Sequence, residues 1–487
     1  RVTESRAVGV VAALALALSP VHVARTAVGF GDHHAWDYLL LVAAALCLLA
    51  LLRADVAGRG GRTGRPSRGR RRRLLAVCGL AFVLAAQALS WVAGFLLVVP
   101  AALVVVAVAA RDAAAGRRPG RSLLGAVAFL LATGLAGTAH LAFGWTDAAL
   151  VVVFASLSTL VLFAVSALYV AAAVGVPRWA HVGVGAGATA VAFAALVRLP
   201  SVRAVATAGR RYAAGTADGA VVETVSLVGG PNGLVTGPLS LFGLELLLAL
   251  PAFGWATLAA LRDRDAGPLL LATFAWYFLA LALIQRRFAG ELSPFVAVLA
   301  GLTLVRLAVR SGLIDLPAGD EPGWSLPAAV AGAAGALRAR IAPASDRPRR
   351  LAPVAVALLV VLSAVASSGM IAIKLNQSTV PPAEYEAARA LDAYATERGM
   401  AAADSYVLSP LGSNRLFNYE VRGDAVTDLS FEYARTTYDP FVAARSPDAQ
   451  YDRYNDRVGF VVTTDARSPG APDSTQATLH ERLGSRG

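Results

Sequence analysis

About eleven apolar runs, most of them near the length that crosses a bilayer, follow one another through the first 373 residues. Within hydrocarbon the backbone must satisfy its own polar groups, so runs of this length predict transmembrane helices. The chain is 56% hydrophobic and only 16% charged, unlike a soluble protein. We therefore predict a polytopic α-helical membrane protein, with spans at about 7–24, 37–52, 74–92, 96–110, 122–140, 147–175, 179–198, 238–261, 268–285, 293–309 and 351–373.

The distribution of charge predicts how these spans are oriented. The net charge of +12 would suggest a nucleic-acid partner in a soluble protein, but here the basic residues lie in loops between apolar runs. The segment 53–73 alone holds nine Arg against one Asp, as cytoplasmic loops do. Strict alternation then leaves the N-terminus as given in the cytoplasm. It puts the stretch 29–37, the loop 199–237, the turn 286–291 and the C-terminal region outside a cell membrane, so no nucleic-acid partner is expected.

From residue 374 the composition changes to a polar, net negative region. Residues 384–398 carry apolar side chains at helical spacing and are followed by Gly399, which is typical of a helix end. Short apolar runs at 406–408 and 458–462, each bounded by turn residues, predict buried strands. We expect two domains: a transmembrane domain at 1–373 and a small extracytoplasmic α/β domain at 374–487.

Ionisable residues concentrate in the stretch 29–37, between the first two apolar runs. Asp32 and His34 lie two apart, so in an extended or irregular segment both side chains point the same way. A carboxylate and an imidazole are a common pair of ligands for a divalent metal. The alternative is a polar turn that only joins two helices. Cysteine chemistry is not expected, because Cys47 and Cys78 both lie within apolar runs.

Two further outer segments carry candidate site residues. Glu223 is the only Glu in the loop 199–237 and has apolar neighbours, although it could equally be a solvated loop carboxylate. Arg286 and Arg287 directly follow the span 268–285. Guanidinium groups suit phosphate, and the alternative for these two is an interfacial anchor.

Together these features resemble the catalytic subunit of oligosaccharyltransferases, in particular the archaeal type that uses a dolichyl phosphate carrier. In that family an outer loop carries an Asp-His-His motif, which Asp32-His33-His34 reproduces. A later outer loop carries Thr/Ser-Ile/Val-x-Glu, to which Ala220-Val221-Val222-Glu223 is similar with the first residue replaced. An Arg at the outer end of the eleventh span corresponds to Arg286 or Arg287. Family members have thirteen spans, so two would be missing from the N-terminus, which begins without Met.

The resemblance implies a fold and a reaction. The fold is that of the C-superfamily of membrane glycosyltransferases, and the reaction is metal-dependent transfer of a glycan from a polyprenyl (dolichyl) phosphate carrier to protein asparagine. It implies that Asp32 and His34 bind Mn²⁺ or Mg²⁺ and that Glu223 closes the site or orients the acceptor. His33, Arg286 and Arg287 would bind the donor. The expected partners are the lipid-linked glycan, an acceptor protein or polymer, and membrane lipid.

Two family features are not in this sequence. The Asp of the first outer loop is absent, and the stretch comparable to the Trp-Trp-Asp-Tyr-Gly motif, which reads the acceptor sequon, is Tyr406-Val407-Leu408-Ser409-Pro410-Leu411-Gly412. This leaves open a lipid-carrier-dependent glycosyltransferase that acts on a lipid or surface polymer. An inactive paralogue or a transporter-like protein is the third alternative.

Overall fold

The computed structural model describes most of the chain, and its segments divide into two compact units, 1–377 and 378–487. The first unit is a bundle of helices, and the second is a small α/β unit. The described residues are 5–27, 33–53, 66–91, 94–144, 148–215, 225–229, 233–262, 265–317, 347–423, 430–455, 457–463 and 474–479. Residues 326–341, whose sequence predicts a short surface helix, lie outside them.

Among the described residues, fourteen α-helices begin in the first unit. They are α1 (Arg6–Leu18), α2 (Pro20–Thr26), α3 (His34–Arg53), α4 (Pro66–Ser90), α5 (Phe95–Ala114), α6 (Gly120–Phe143), α7 (Ala148–Ala173), α8 (Arg178–Leu196), α9 (Pro200–Gly215), α10 (Gly233–Phe242), α11 (Glu245–Arg262), α12 (Ala266–Ile284), α13 (Ala289–Ser311) and α14 (Arg347–Ser378). Within the described ranges ten helices are long and apolar enough to cross a membrane, or eleven if α1 and α2 form one bent span. The predicted polytopic helical architecture is confirmed.

Two of the predicted continuous runs are broken. The first bends by 65° between α1 and α2, where Pro20 has no N–H to continue the α1 hydrogen-bond ladder. The run 238–261, expected as one span, is instead α10 and α11, separated at Gly243 with a φ of +57°. Only glycine adopts this left-handed conformation readily, and apolar composition alone does not reveal such a break.

The core of the first unit is made of aliphatic and aromatic side chains. Helices α3, α4, α5, α12 and α13 contribute most of its fully buried leucine, phenylalanine, valine and alanine residues. At Gly301 the backbone of α13 comes so close to α1 that a Cβ atom would lie 3.0 Å from the Ala12 nitrogen. Small residues at helix contacts are how membrane helices gain close packing.

One end of the bundle carries paired charges. The Arg53 Nη2 atom donates to Asp265 Oδ2 at 2.6 Å, joining the end of α3 to the start of α12. The Arg121 guanidinium donates to the Leu52 carbonyl oxygen at 2.7 Å and to Asp112 at 3.1 Å. Arg117 also contacts Asp112. These contacts fix the ends of α3, α5, α6 and α12 together.

The second unit contains the predicted helix and both predicted strands. Its elements are α15 (Pro382–Glu397), β1 (Tyr406–Leu408), α16 (Asn414–Arg422), α17 (Ser430–Ala443), α18 (Pro447–Tyr454), β2 (Val458–Val461) and α19 (Thr475–Leu479). Strands β1 and β2 pair in parallel, and Val407 lies opposite Phe460. The helix α15 ends just before Gly399, which has a φ of +64°.

An asparagine extends this small sheet on the side opposite to β2. The Asn418 amide accepts a hydrogen bond from the Val407 N–H at 3.0 Å and donates to the Val407 carbonyl oxygen at 2.9 Å. The side chain therefore satisfies both backbone groups of a residue whose own side chain is fully buried. Asn414 donates to the same carbonyl oxygen at 3.0 Å.

We expect Asn418→Ala to destabilise the second unit by about 1–3 kcal/mol, because it leaves a buried N–H group without an acceptor. Hydrogen exchange of the full chain, followed by mass spectrometry, should show faster exchange at Val407. The exposed Asn455 at the end of α18 provides the control substitution Asn455→Ala, for which little change is expected. Unchanged protection at Val407 in the Asn418 variant would contradict the role assigned to this amide.

Candidate functional site

The candidate site lies at the end of the bundle opposite to the Arg53–Asp265 pair. There His33 directly precedes α3, which begins at His34, and helix α4 ends at Ser90, just before Trp91. A 3₁₀ turn, Arg286–Phe288, links α12 to α13 at the same end. The short helix α2 reaches it because the bend after Ser19 turns its last residues toward α3.

His33 and Asp37 form the first half of the cluster. Asp37 is fully buried, and its Oδ2 atom lies 3.5 Å from His33 Nε2, one helical turn away. The Ser90 hydroxyl donates to Asp37 Oδ1 at 2.6 Å, and the His33 ring stacks on Trp91 with centroids 5.1 Å apart. Asp37 also lies in the first turn of α3, where the helix dipole favours a carboxylate.

His34 forms the second half and is only 2% exposed. Its Nε2 atom lies 3.4 Å from Arg25 Nη1, and its Nδ1 atom lies 3.9 Å from Glu291 Oε1. The Arg25 Nη1 atom also donates to the Arg287 carbonyl oxygen at 2.6 Å. A guanidinium and a carboxylate from distant parts of the chain thus face the two ring nitrogens of one histidine.

Glu291 is a buried carboxylate in the first turn of α13, 2% exposed. Among the described residues its Oε2 atom has no hydrogen-bond partner. An ionised carboxylate in hydrocarbon needs compensation by a cation. The Arg25 and Arg287 guanidinium groups interact with it electrostatically and supply part of that compensation.

Arg286 and Arg287 are both half-buried and have different roles in the structure. The Arg287 guanidinium carbon lies 4.2 Å from the centre of the Trp91 ring, a cation–π contact that orients the guanidinium plane. The Arg286 backbone N–H donates to the Val225 carbonyl oxygen at 2.7 Å.

The segment 225–229 is held along the end of α12. In addition to the Arg286 bond, the Leu227 N–H donates to the Ala282 carbonyl oxygen at 2.9 Å, and the Ser226 hydroxyl donates to the Leu283 carbonyl oxygen at 2.5 Å. Val225 follows Glu223 by two residues. The described segment that begins two residues after the predicted Glu is therefore anchored beside Arg286.

The metal-ligating potential of the cluster comes from three side chains. One ligand atom each of His33, His34 and Asp37 lies within 4.8 Å of the others. Imidazole nitrogen and carboxylate oxygen suit several divalent metals, including Mn²⁺ and Zn²⁺. The structure thus brings His33 and His34 together with Arg287 and places the Arg286 backbone beside Val225. Asp32 and Glu223 lie outside the described residues, so their roles stay predictions.

Sequence reasoning missed Arg25, Asp37 and Glu291 as site residues. Asp37 had a usable signal, its position one helical turn after His33. Arg25 directly follows the first apolar run, and Glu291 lies just before the run 293–309. Ionisable residues at such places are functional candidates by default. Their contact with His34 was not predictable from local sequence.

The chain is similar to one known protein family and to several solved structures. Residues 1–211 match the family described as "Oligosaccharyl transferase STT3, N-terminal". The fold is similar to the archaeal oligosaccharyltransferase AglB from Archaeoglobus fulgidus, solved in complex with an inhibitory peptide and a dolichol-phosphate. That match has a TM-score of 0.66 and 16% identity, and it covers 95% of this chain and 55% of the other. No curated protein sequence matches the chain.

Two more structures of the Archaeoglobus fulgidus oligosaccharyltransferase share this fold. The apo form matches with a TM-score of 0.60 at 17% identity, covering 95% of this chain and 56% of the other. The complex with Zn and sulfate matches with a TM-score of 0.54 at 15% identity, covering 94% and 52%. The predicted fold class is confirmed, and the chain spans about half the length of these proteins.

The start of α13 tolerates little change, because Gly290 lies against the Tyr38 ring. A Cβ atom built on Gly290 would overlap the Tyr38 hydroxyl oxygen. We expect Gly290→Ala to cost about 1–3 kcal/mol, the range for overpacking a filled core, and to move Glu291 relative to His34. Thermal unfolding in detergent measures the loss.

The matched control is Gly254→Ala in α11, where a Cβ atom meets nothing within 4 Å. A second background tests the cause, because Tyr38→Ala removes the colliding ring and should make Gly290→Ala nearly neutral. Equal losses of stability at Gly290 and Gly254 would refute the close approach.

Proposed function

We propose that the chain is a member of the STT3 family of oligosaccharyltransferases, whose N-terminal family description residues 1–211 match, and that it transfers a glycan from a polyprenyl (dolichyl) phosphate carrier to protein asparagine. The observation that carries the proposal is the meeting of His33, His34 and Arg287 at one end of the bundle. These residues come from parts of the chain more than 250 positions apart in sequence. The proposed location of this end is the outer face of the membrane, with 1–373 as the transferase domain and 374–487 as an extracytoplasmic domain.

The described side chains of the candidate site include groups that are suited to bind a divalent cation. The Glu291 Oε2 atom is buried without a hydrogen-bond partner among the described residues, and the fully buried Asp37 adds a second carboxylate. Asp32 and His34 are proposed to hold the ion, with His33 and Asp37 within reach of it. A bound Mn²⁺ or Mg²⁺ would supply positive charge to the phosphate that leaves with the carrier.

The chain's own residues would orient the donor. Arg287, with its guanidinium plane set by Trp91, is proposed to bind a carrier phosphate, as is Arg286. Arg25 positions this arrangement, because it bonds to the Arg287 carbonyl oxygen while facing His34. His33 is proposed to contact the donor beside Trp91.

Glu223 is proposed to close the site or to orient the acceptor. What supports this is the anchoring of the segment 225–229 along α12 and at Arg286. A carboxylate two residues before that anchor is available to the same end of the bundle through the chain itself.

A lipid or surface polymer is the second candidate acceptor, and one observation favours it. Tyr406, Val407 and Leu408 are all buried in the second unit, and Ser409 is fully buried. The stretch comparable to the sequon-reading motif therefore offers no exposed aromatic pair to a peptide. Peptide and polymer acceptors, supplied in parallel with the same donor, distinguish the two activities.

We expect Asp32→Ala to lower glycan transfer at least 100-fold, about the scale on which loss of one charge-stabilising group acts in an active site. The assay uses membranes containing the variant, a lipid-linked donor and both acceptor types. Asp315→Ala is the control, because Asp315 is an exposed aspartate after α13. Chelation should abolish transfer and added Mn²⁺ or Mg²⁺ should restore it, whereas full activity of the Asp32 variant would overturn the proposal.

Glu291→Gln should weaken Mn²⁺ binding by about 10- to 100-fold, the usual effect of changing a residue that orients a metal ligand. Binding is measured by electron paramagnetic resonance of free Mn²⁺, independently of catalysis. The matched control is Glu245→Gln, which changes another buried membrane glutamate, in the first turn of α11 and 4% exposed. Equal affinities of the two variants for Mn²⁺ would show that Glu291 does not contribute to metal binding.

A further inference from the structure

An apolar groove lies among α5, α11 and α12, away from the candidate site. It has a volume of about 430 Å³, and its walls include Leu103, Leu261, Leu269, Ala272 and Trp276. This volume falls within the range of about 300–1,000 Å³ that small-molecule sites have. All three helices are candidate membrane spans, so the groove faces hydrocarbon.

Three polar side chains on the groove walls, those of Trp276, Thr257 and Tyr277, form hydrogen bonds within the protein. The Trp276 indole N–H donates to the Thr257 hydroxyl at 3.0 Å, and that hydroxyl donates to the Phe253 carbonyl oxygen at 2.9 Å. The Tyr277 hydroxyl donates to the Leu96 carbonyl oxygen at 2.9 Å. The aromatic rings therefore offer their apolar faces to whatever fills the groove, and water gains few hydrogen bonds there.

One end of the groove is cationic. Arg111, near the end of α5, lines it at the end of the bundle where Arg53 pairs with Asp265. The segment 111–121 contains four Arg and one Asp, and that Asp112 is bound by Arg117 and Arg121. Arg262 ends α11 at the same place. An apolar groove that ends at a cationic helix terminus matches a molecule with an apolar chain and an anionic head.

We infer that this groove binds one acyl chain of an anionic phospholipid whose headgroup lies at Arg111. The site is distinct from the cluster at His34, which lies at the opposite end of the bundle, and it does not depend on the proposed transferase activity. A zwitterionic lipid would fill the same apolar volume but would gain less from Arg111, so the charge of the headgroup sets the selectivity.

The test uses the fluorescence of Trp276 in the full chain. The protein is reconstituted in phosphatidylcholine vesicles that contain a minor fraction of acyl-brominated phosphatidylglycerol or, in parallel, brominated phosphatidylcholine. Bromine quenches nearby indole, and the difference between the native chain and Trp276→Phe isolates the signal of Trp276. We expect stronger quenching by the anionic lipid at equal mole fraction.

Arg111→Gln should lower the preference for the anionic lipid about fivefold, the factor one basic side chain contributes near an anionic headgroup. Arg118→Gln is the matched control, because Arg118 is an exposed arginine at the same end of the bundle. Equal quenching by both brominated lipids, or an unchanged preference in the Arg111 variant, would overturn the inference. Displacement of the brominated lipid by polyprenyl phosphate, but not by unbrominated phosphatidylglycerol, would overturn it in favour of the carrier.

Discussion

A buried guanidinium holds the candidate site together. Arg25, 8% exposed, bonds to the Arg287 carbonyl oxygen and faces the His34 ring, and it interacts electrostatically with Glu291. In a low-dielectric interior a lone charge is costly, whereas charges that compensate one another are retained. Removal of Arg25 would leave the Glu291 carboxylate with less compensation, so α2, α3 and α13 are coupled through electrostatics as well as through packing.

That coupling explains why the chain is bent where it is. The break at Ser19–Pro20 bends α2 by 65° from α1, and Arg25 near the end of α2 contacts His34 at the start of α3. At the other side of the site, the 3₁₀ turn Arg286–Phe288 places consecutive arginines on different partners, Val225 through the backbone and Trp91 through the side chain. Interruptions of regular helix thus coincide with the chemistry, as expected where irregular backbone is buried within a membrane protein.

The sequence was sufficient for the helical membrane class and for the two strands of the second unit. Of the six predicted site residues, the structure describes His33, His34, Arg286 and Arg287, and their roles stay predictions. Apolar length predicts spans directly, and adjacency along the chain made His33–His34 and Arg286–Arg287 visible as pairs. The contact of Arg25 with Arg287 was not predictable, since it joins residues far apart and depends on the bend after Ser19. The break between α10 and α11 was missed because it depends on the φ of Gly243, not on hydropathy.

The close approach of Gly290 to Tyr38 has a consequence for how related sequences can diverge. A side chain at position 290 and the aromatic ring at position 38 would occupy the same space. Gly290 can therefore be replaced only after Tyr38 has been replaced by a smaller residue. Whether a substitution at position 290 is neutral therefore depends on the residue at position 38, so the order of the two substitutions matters. Sequences that retain the ring should retain the glycine, and the pair should vary together or not at all.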